Sequence, residues 1–309
     1  MTFAFDPPSS LPLVLGGNVF GWSADKHHSF AVLDAFVAAG GSQLDTADAY
    51  ARWLPGSTGG ESETVIGEWL AASGKRDQIF LATKVGALPP YDNLRAETIT
   101  TAVENSLRRL QTDHVDLYWA HRDDEDTPQE ETLTAFDSLV QAGKVRYLGA
   151  SNFSAERLQS ALDISREHGL ASYVAVQPLY NLLEQAGWEN GAGKVAVAND
   201  LATWPYSSLA SGFLSGKYRR GVDVESVRSK AVAKYFDERG YRLLDALDTV
   251  ARAHGVSVSA IALRWLVQQP AVLAPIASAR NTDQLEELLT VGSIELSQDE
   301  LDVLRAAGA

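Results

Sequence analysis

VDLYWAHRDDEDTPQEETLTAFDSLVQAGKVRYLGAS, residues 115–151, predicts a strand, a helix and a second strand in one continuous stretch. VDLYWA and VRYLGAS are apolar runs with the length of buried strands, and the segment between them repeats its apolar residues at helical spacing. Thr127-Pro128-Gln129-Glu130 predicts a capping box with proline at the first helical position, and Gly143 predicts the end of the helix. Two strands joined by one helix in this way run parallel in the same sheet.

The same alternation of strand and helix extends along the whole chain. Six further apolar runs predict strands: LPLVLGG (11–17), SQLDT (42–46), IFLATK (79–84), VAVQP (174–178), LATWPYS (201–207) and AVLAPIAS (271–278). Amphipathic segments predict helices at Ser29–Ala39, Glu63–Ala72, Ala96–Leu110, Leu133–Gln141, Ala155–His168, Glu184–Asn199, Tyr241–His254 and Ala260–Gln269.

Eight strands that are apolar on both faces and separated by helices demand a parallel sheet, either open and doubly wound or closed. Eight units favour closure into a (β/α)8 barrel, the TIM-barrel fold of the α/β class, with long loops at its C-terminal face. Barrels of this size fold as one unit, so we predict a single domain over residues 1–309. Between Ser207 and Tyr235 the pattern is irregular, which predicts a long binding loop.

The bulk properties exclude several classes of protein. A net charge of −14 argues against nucleic acid, whose binding requires clustered Lys and Arg. The chain has no cysteine, which excludes disulfides, a thiolate nucleophile and cysteine-based zinc sites. Met1–Ser10 has no basic segment followed by an apolar one, and no run approaches the length of a membrane span, so we expect a cytoplasmic protein. GxGxxG, Walker-type and HExxH motifs are all absent from the sequence.

Four ionisable residues fall where predicted strands end and loops begin. Asp45 and Lys84 close two neighbouring strands, Tyr50 lies in the loop after Asp45, and His121 follows VDLYWA. In barrels of this type such positions share one face, where catalytic groups are found. A buried lysine needs a carboxylate partner, and its charge lowers the pKa of a nearby tyrosine, so we interpret the four as a proton-delivery unit.

The residues alone leave other interpretations open. The Asp–Lys pair could be purely structural, and a barrel lyase that forms a Schiff base on Lys84 fits the same four residues nearly as well.

The chain resembles the aldo-keto reductase family over nearly its whole length. The resemblance is carried by LDTADAY (44–50), GGESETVIG (59–67), LATKVG (81–86), DLYWAHRDDEDTP (116–128), GKVRYLGASNF (143–153), VQPLYNLLE (176–184), SLASGFLSGKY (208–218) and PIASARNTDQLEE (275–287). It implies carbonyl reduction without a metal, with Tyr50 as general acid, Lys84 and Asp45 tuning it, and His121 orienting the carbonyl. It also leaves open a cofactor-binding regulatory protein of the same fold with little turnover.

The resemblance further implies an NADP cofactor. The positions that would contact the nicotinamide end are Ser151, Asn152, Gln177 and Tyr206, although Tyr206 could also be ordinary barrel packing. The positions along the pyrophosphate are Ser207, Leu209, Gly212 and Lys217. After the last strand, Ser278 and Arg280 precede a helix predicted to be capped by Thr282, where Arg280 would bind the 2′-phosphate and Gln284 would reach adenine.

The sequence departs from the family pattern at two places. Leu288 stands where many relatives have an asparagine that contacts adenine, and Ala51–Gly60 lengthens the loop after Tyr50. We predict an apolar pocket for a small carbonyl substrate, formed by Trp22, Trp53, Leu54 and Trp119. Core packing is an equal alternative for Trp119, and the sequence names neither the physiological substrate nor the oligomeric state.

Overall fold

A computed structural model describes residues 11–222, 224 and 229–309 of the chain. Its centre is an eight-stranded sheet in which every pairing is parallel. The strands are β1 Val14–Gly16, β2 Gln43–Asp45, β3 Phe80–Val85, β4 Val115–Ala120, β5 Val145–Ser151, β6 Tyr173–Gln177, β7 Ala202–Thr203 and β8 Ile276–Ala277. Met1–Ser10, in which the sequence analysis found no targeting signal, lies outside the described residues.

The strand order shows how the sheet curls into a barrel. Neighbours in the sheet run β7-β6-β5-β4-β3-β2-β1-β8, so β7 and β8 are its two edges. Between them, Thr203 forms a parallel bridge with Val272, and Thr203 N donates to Ala271 O at 2.8 Å. Ile276 N also donates to Pro205 O at 2.9 Å. The two edges are therefore hydrogen-bonded to each other, which confirms the predicted (β/α)8 barrel.

Helices surround the sheet, and many agree with the predicted ranges. They are α1 Lys26–Ala38, α2 Glu61–Ser73, α3 Ala96–Leu110, α4 Gln129–Gln141, α5 Ala155–His168, α6 Ala186–Asn190, α7 Ala192–Ala198, α8 Ser229–Val232, α9 Glu238–His254, α10 Val258–Val267, α11 Thr282–Leu289 and α12 Gln298–Gly308. Within the part of the chain that the structure describes, none of these helices is both long and apolar enough to span a bilayer.

Two predictions about helix ends and one about the continuity of a helix were wrong. Thr127 does not cap α4, because its hydroxyl donates to Asp124 Oδ2 at 2.6 Å and Pro128 occupies the N-cap position without a side-chain bond. Asn281 caps α11 in place of Thr282, and its side chain accepts from Gln284 N. The predicted helix Glu184–Asn199 is two short helices, α6 and α7, which meet at Gly191.

The predicted irregular segment 207–235 is only partly irregular. It contains a succession of tight turns at Ala210–Ser215, in which Ser211, Gly212 and Leu214 are not helical, and a short 3₁₀ helix, Ala233–Tyr235, directly after α8. Residues 223 and 225–228 of this segment lie outside the described residues.

The alternation of side chains along each strand places polar groups inside the barrel. Phe80 and Ala82 of β3 belong to the cluster that fills the barrel interior, whereas Leu81 and Val85 pack outward against the helices. Since side chains in a strand repeat every second residue, Lys84 continues the inward column above Ala82. The interior also contains Trp119, the register partner of Lys84 on β4, which is fully buried and packs against Trp204 with ring centroids 5.8 Å apart.

A glycine makes room for this tryptophan. Gly149 of β5 lies beside Trp119, and a Cβ atom at that position would come within 2.3 Å of the indole ring. Any larger residue there would displace a side chain that supports the layer containing Lys84.

Candidate active site

Three consecutive strands and one loop bring the predicted catalytic residues to one end of the barrel. Asp45 is the last residue of β2, Lys84 is the penultimate residue of β3, and His121 follows directly after β4. The loop after β2 carries Tyr50 back toward them, so that the phenol ring lies 6.2 Å from the His121 ring, edge to face. The structure therefore brings together all four residues that the sequence predicted.

The ammonium group of Lys84 is the centre of the hydrogen-bond network. Its Nζ atom lies 2.5 Å from Asp45 Oδ2, 2.6 Å from Thr46 O and 2.9 Å from Tyr50 Oη. A protonated lysine has three N–H donors, and each of these oxygens accepts one. The Tyr50 oxygen accepts from Lys84, and its own O–H remains available to donate elsewhere.

The two charged groups of this network are buried. Lys84 has no exposed surface and Asp45 is 1% exposed, so their charges are compensated by each other. Burial alone would lower the pKa of Lys84, but Asp45 and Tyr50 raise it above its ordinary value. The second carboxylate oxygen, Asp45 Oδ1, accepts from Gln177 Nε2 at 3.0 Å. The lysine is therefore a fixed cation.

From the sequence we expected Lys84 to lower the pKa of Tyr50, but in the structure the pKa is raised. Desolvation raises the pKa of Tyr50, and this outweighs the lowering by Lys84 on which the sequence argument relied. The phenol is consequently protonated throughout the neutral range, which is the form a general acid needs.

His121 is an uncharged imidazole in this setting. Burial, together with the positive charges of Lys84, Arg122 and Arg52, lowers its pKa from 6.5 to about 3. Its Nδ1 atom is buried and accepts or donates no hydrogen bond among the described residues. A neutral ring can donate one hydrogen bond to a carbonyl oxygen from whichever nitrogen carries the hydrogen.

The residues predicted to contact nicotinamide lie beside this cluster and are bonded to it. Ser151 Oγ donates to the Gln177 carbonyl at 2.8 Å, and Asn152 Nδ2 donates to the His121 carbonyl at 2.9 Å. Tyr206 donates its hydroxyl proton to Asn152 Oδ1 at 2.8 Å. Gln177 Oε1 accepts no hydrogen bond from the residues whose positions are described. It is an acceptor open to a carboxamide.

The segment after β7 has an unusual backbone. Ser207, Ala210, Ser211 and Gly212 all have positive φ values, and the Ser207 hydroxyl accepts from Ser211 N at 3.2 Å. A Cβ atom at Gly212 would meet nothing within 4 Å. Leu209 is half-buried and Lys217 is exposed. The loop therefore has open space beside it at Gly212.

Asn181, which the sequence analysis did not single out, holds this loop in place. Its Nδ2 atom donates to Ser207 O at 3.0 Å, and its Oδ1 atom accepts from Leu183 N at 2.8 Å. The side chain is fully buried. Its position inside the family-like segment VQPLYNLLE was the signal that could have identified it.

The segment after β8 presents a cation at the start of α11. Arg280 is exposed and contacts no carboxylate among the described residues, while its backbone N donates to Gln284 Oε1 at 3.0 Å. Ser278 Oγ donates to Asn18 Oδ1 at 2.8 Å, which links this turn to the loop after β1. Gln284 thus lies against the turn, and the buried Leu288 packs into the core.

The predicted substrate residues divide into two groups. Trp22 and Trp53 form an edge-to-face pair with centroids 5.1 Å apart, and Trp53 is 50% exposed. Leu54 is half-buried in the same loop. Trp119 instead lies in the barrel interior with no exposed surface, which agrees with the alternative of core packing.

A second buried polar cluster, which the sequence analysis missed, lies behind the site. Glu63 of α2 accepts from Thr83 Oγ1 at 2.5 Å and from Arg109 Nε at 2.7 Å. Asp48 and the Tyr118 hydroxyl are buried nearby without hydrogen-bond partners among the described residues. Burial and the charge of Glu63 raise the pKa of Asp48 to about 8, so this carboxyl is largely protonated at neutral pH.

Ionisable groups at the carboxyl ends of the strands of a parallel barrel are typical of an enzyme active site. Comparison with known proteins identifies the family. The model of the aldo/keto reductase family matches residues 12–309. This chain therefore belongs to the aldo/keto reductase family, which indicates an oxidoreductase that acts on small carbonyl compounds with a nicotinamide cofactor.

Individual relatives match over most of their length. The chain is 34% identical to the aldo-keto reductase YhdN of Bacillus subtilis, over 94% of this chain and 86% of that protein. It is 31% identical to protein tas of Escherichia coli, over 97% of this chain and 95% of that protein. It is 30% identical to norsolorinic acid reductase B of Aspergillus parasiticus, over 96% of this chain and 80% of that protein.

Proposed function

We propose that this protein reduces aldehydes or ketones to alcohols with NADPH, using Tyr50 as the general acid. The observation that carries the proposal is the bonding of the Lys84 ammonium group. Its three acceptors are Asp45, the Thr46 carbonyl and Tyr50, which leaves the phenol proton of Tyr50 directed away from the lysine.

The proton balance of the reaction follows from this geometry. The bound cofactor would supply a hydride from nicotinamide C4 to the carbonyl carbon. Tyr50 gives its phenol proton to the carbonyl oxygen as negative charge develops there, and the resulting phenolate lies 2.9 Å from the Lys84 ammonium. The phenolate is then reprotonated from solvent, so Lys84 stabilises the charge and keeps its own protons.

His121 orients the carbonyl in this proposal. Its ring lies edge to face with Tyr50, and its low pKa keeps it neutral, so it donates one hydrogen bond without competing as a second acid. Two donors converging on one oxygen stabilise the developing charge more in the transition state than in the ground state.

The residues present fit a nicotinamide dinucleotide. Gln177 Oε1 is an open acceptor next to Asp45, and Ser151, Asn152 and Tyr206 are hydrogen-bonded into one group beside it. The open space at Gly212 would allow a backbone to approach phosphate oxygens. Arg280, exposed at the start of α11 and without a carboxylate partner in the described ranges, supports NADPH over NADH because a planar guanidinium suits a phosphate.

The two alternatives predict different behaviour. A lyase would need a neutral Lys84 that can attack a carbonyl, whereas this lysine is completely buried and its three N–H groups are all bonded. A regulatory protein of the same fold would bind NADPH and turn over little.

One assay distinguishes the three functions. The decay of NADPH absorbance is recorded with aromatic and aliphatic aldehydes for the wild type, for Tyr50→Phe and for the matched phenol-deletion control Tyr241→Phe on α9. We expect Tyr50→Phe to lower kcat by roughly 10²- to 10⁴-fold, with little change in the Kd of NADPH. Full turnover in Tyr50→Phe would overturn the general-acid role, and trapping of an imine on Lys84 by borohydride would favour the lyase.

A further inference from the structure

Arg52 lies on the lengthened loop two residues beyond Tyr50, and the backbone there is folded back on itself. Tyr50 N donates to Ala47 O and Arg52 N donates to Ala49 O, each at 3.3 Å. Ala51 between them is fully buried with a φ of 68°, so the turn is fixed against the barrel. The side chain of Arg52 is exposed, and its positive charge acts on His121.

Arg52 and Arg122 are uncompensated cations. Neither contacts a carboxylate within the ranges that the structure describes, and Arg122 Nε donates only to Gly86 O at 2.9 Å. Other arginines among the described residues are paired with acidic side chains. Arg109 and Arg157, for example, each contact a buried or half-buried acidic residue.

Both charges act at the carbonyl-orienting histidine. His121 experiences the positive charges of Lys84, Arg122 and Arg52. Lys84 is paired with Asp45, whereas neither arginine contacts a carboxylate among the described residues. Glu61, the first residue of α2, accepts from the Ser57 hydroxyl.

An aromatic surface adjoins this positive region. Trp53 follows Arg52 directly, is half exposed, and packs edge to face with Trp22. Aromatic side chains next to a guanidinium group without a carboxylate partner suit ligands that have an apolar body and an anionic end.

We propose that the carbonyl substrate carries an anionic oxygen group, a carboxylate, which Arg52 binds with the support of Arg122 while the body of the substrate lies against Trp22 and Trp53. The inference rests on the proposed carbonyl reduction at Tyr50 and names its substrate class. Arg52 would thus determine specificity, because a bidentate guanidinium–carboxylate contact has no counterpart for a neutral substrate.

Matched aldehydes test this inference. 3- and 4-carboxybenzaldehyde are compared with their methyl esters, which keep the ring and the reacting carbonyl but lack the charge. For each pair kcat/KM is measured in the wild type, in Arg52→Gln and in Arg252→Gln, an exposed control on α9 that removes the same charge. Calorimetric binding of the same compounds to protein saturated with NADP⁺ gives a readout that does not require turnover.

We expect the wild type to prefer at least one acid over its ester by ~10-fold or more, since charge-assisted hydrogen bonds are worth this much in binding. Arg52→Gln should lower that ratio by about 10-fold, mainly through KM, and Arg252→Gln should leave it unchanged. Added salt should reduce the preference. An acid-to-ester ratio near one in the wild type, or one unaffected by Arg52→Gln, overturns the inference. Preferential binding of the acid without any hydride transfer supports the inference and overturns the proposed function.

Discussion

The Lys84 ammonium nitrogen lies 2.9 Å from the Tyr50 phenol oxygen and 2.5 Å from Asp45 Oδ2, so one buried cation connects the carboxylate of β2 to the phenol of the following loop. The charge that would stabilise a tyrosinate is therefore also the charge that neutralises a buried aspartate. In the proposed reaction, catalysis and stability depend on the same atom.

Replacing Lys84 with Met should destabilise the protein as well as inactivate it. The substitution leaves Asp45 buried without its partner, which typically costs about 3–5 kcal/mol. The double variant Asp45→Asn/Lys84→Met should regain much of that stability because an amide carries no charge, yet remain inactive. Urea unfolding measures both free energies, and a double variant no more stable than Lys84→Met would contradict this account.

His121 should contribute to acid sensitivity. The imidazole takes up a proton near pH 6.5 in the unfolded chain but only near pH 3 in the folded protein. The unfolded state binds more protons between these values, so stability is lost as the pH falls from about 6.5 toward 3. His121→Asn should reduce this slope in unfolding experiments, whereas the exposed control His168→Asn should not. An unchanged slope in His121→Asn would show that the histidine is not buried as a neutral ring.

Asp48 should have the opposite pH dependence. Its carboxyl loses a proton near pH 4 when unfolded and near pH 8 when folded, so the folded state binds more protons in between. Stability is then lost as the pH rises from about 4 to 8. Asp48→Asn should be more stable than the wild type at pH 9 by ~1–3 kcal/mol and nearly equal to it at pH 4. Thermal unfolding at both pH values, with exposed Asp302→Asn as the control, measures the difference.

Arg280→Met should affect one cofactor far more than the other. Loss of a guanidinium–phosphate contact should raise the Kd of NADPH by roughly 10- to 100-fold and leave that of NADH nearly unchanged. Fluorescence titration of both cofactors into the wild type, Arg280→Met and the distant control Arg252→Met gives the comparison. Equal weakening of both cofactors would remove Arg280 from the 2′-phosphate site.

The sequence predicted the residues that depend on strand position and periodicity. Helices Ala96–Leu110 and Ala155–His168 were predicted to the residue, and Asp45, Lys84 and His121 meet because parallel strands end at one face. The predictions that failed depend on side-chain contacts that helical periodicity does not show. Thr127 turns to Asp124 instead of capping a helix, and Glu63 binds Arg109 across 46 positions, which no local pattern signals.

The direction of the pKa shift of Tyr50 could not be predicted from the sequence. A neighbouring lysine was predictable from the strand ends, but the extent of burial was not, and burial decides the direction of the pKa shift.

The contact between β7 and β8 lies between the two loops that are predicted to bind the cofactor. β7 and β8 are each two residues long, and the hydrogen bonds across them involve few residues near Thr203. The loop that begins at Ser207 extends from one of these strands, and the turn that contains Arg280 extends from the other. A dinucleotide lying along both loops would connect the two sides of the least extensively paired junction in the barrel, so that occupancy by cofactor would itself keep the circle of strands closed.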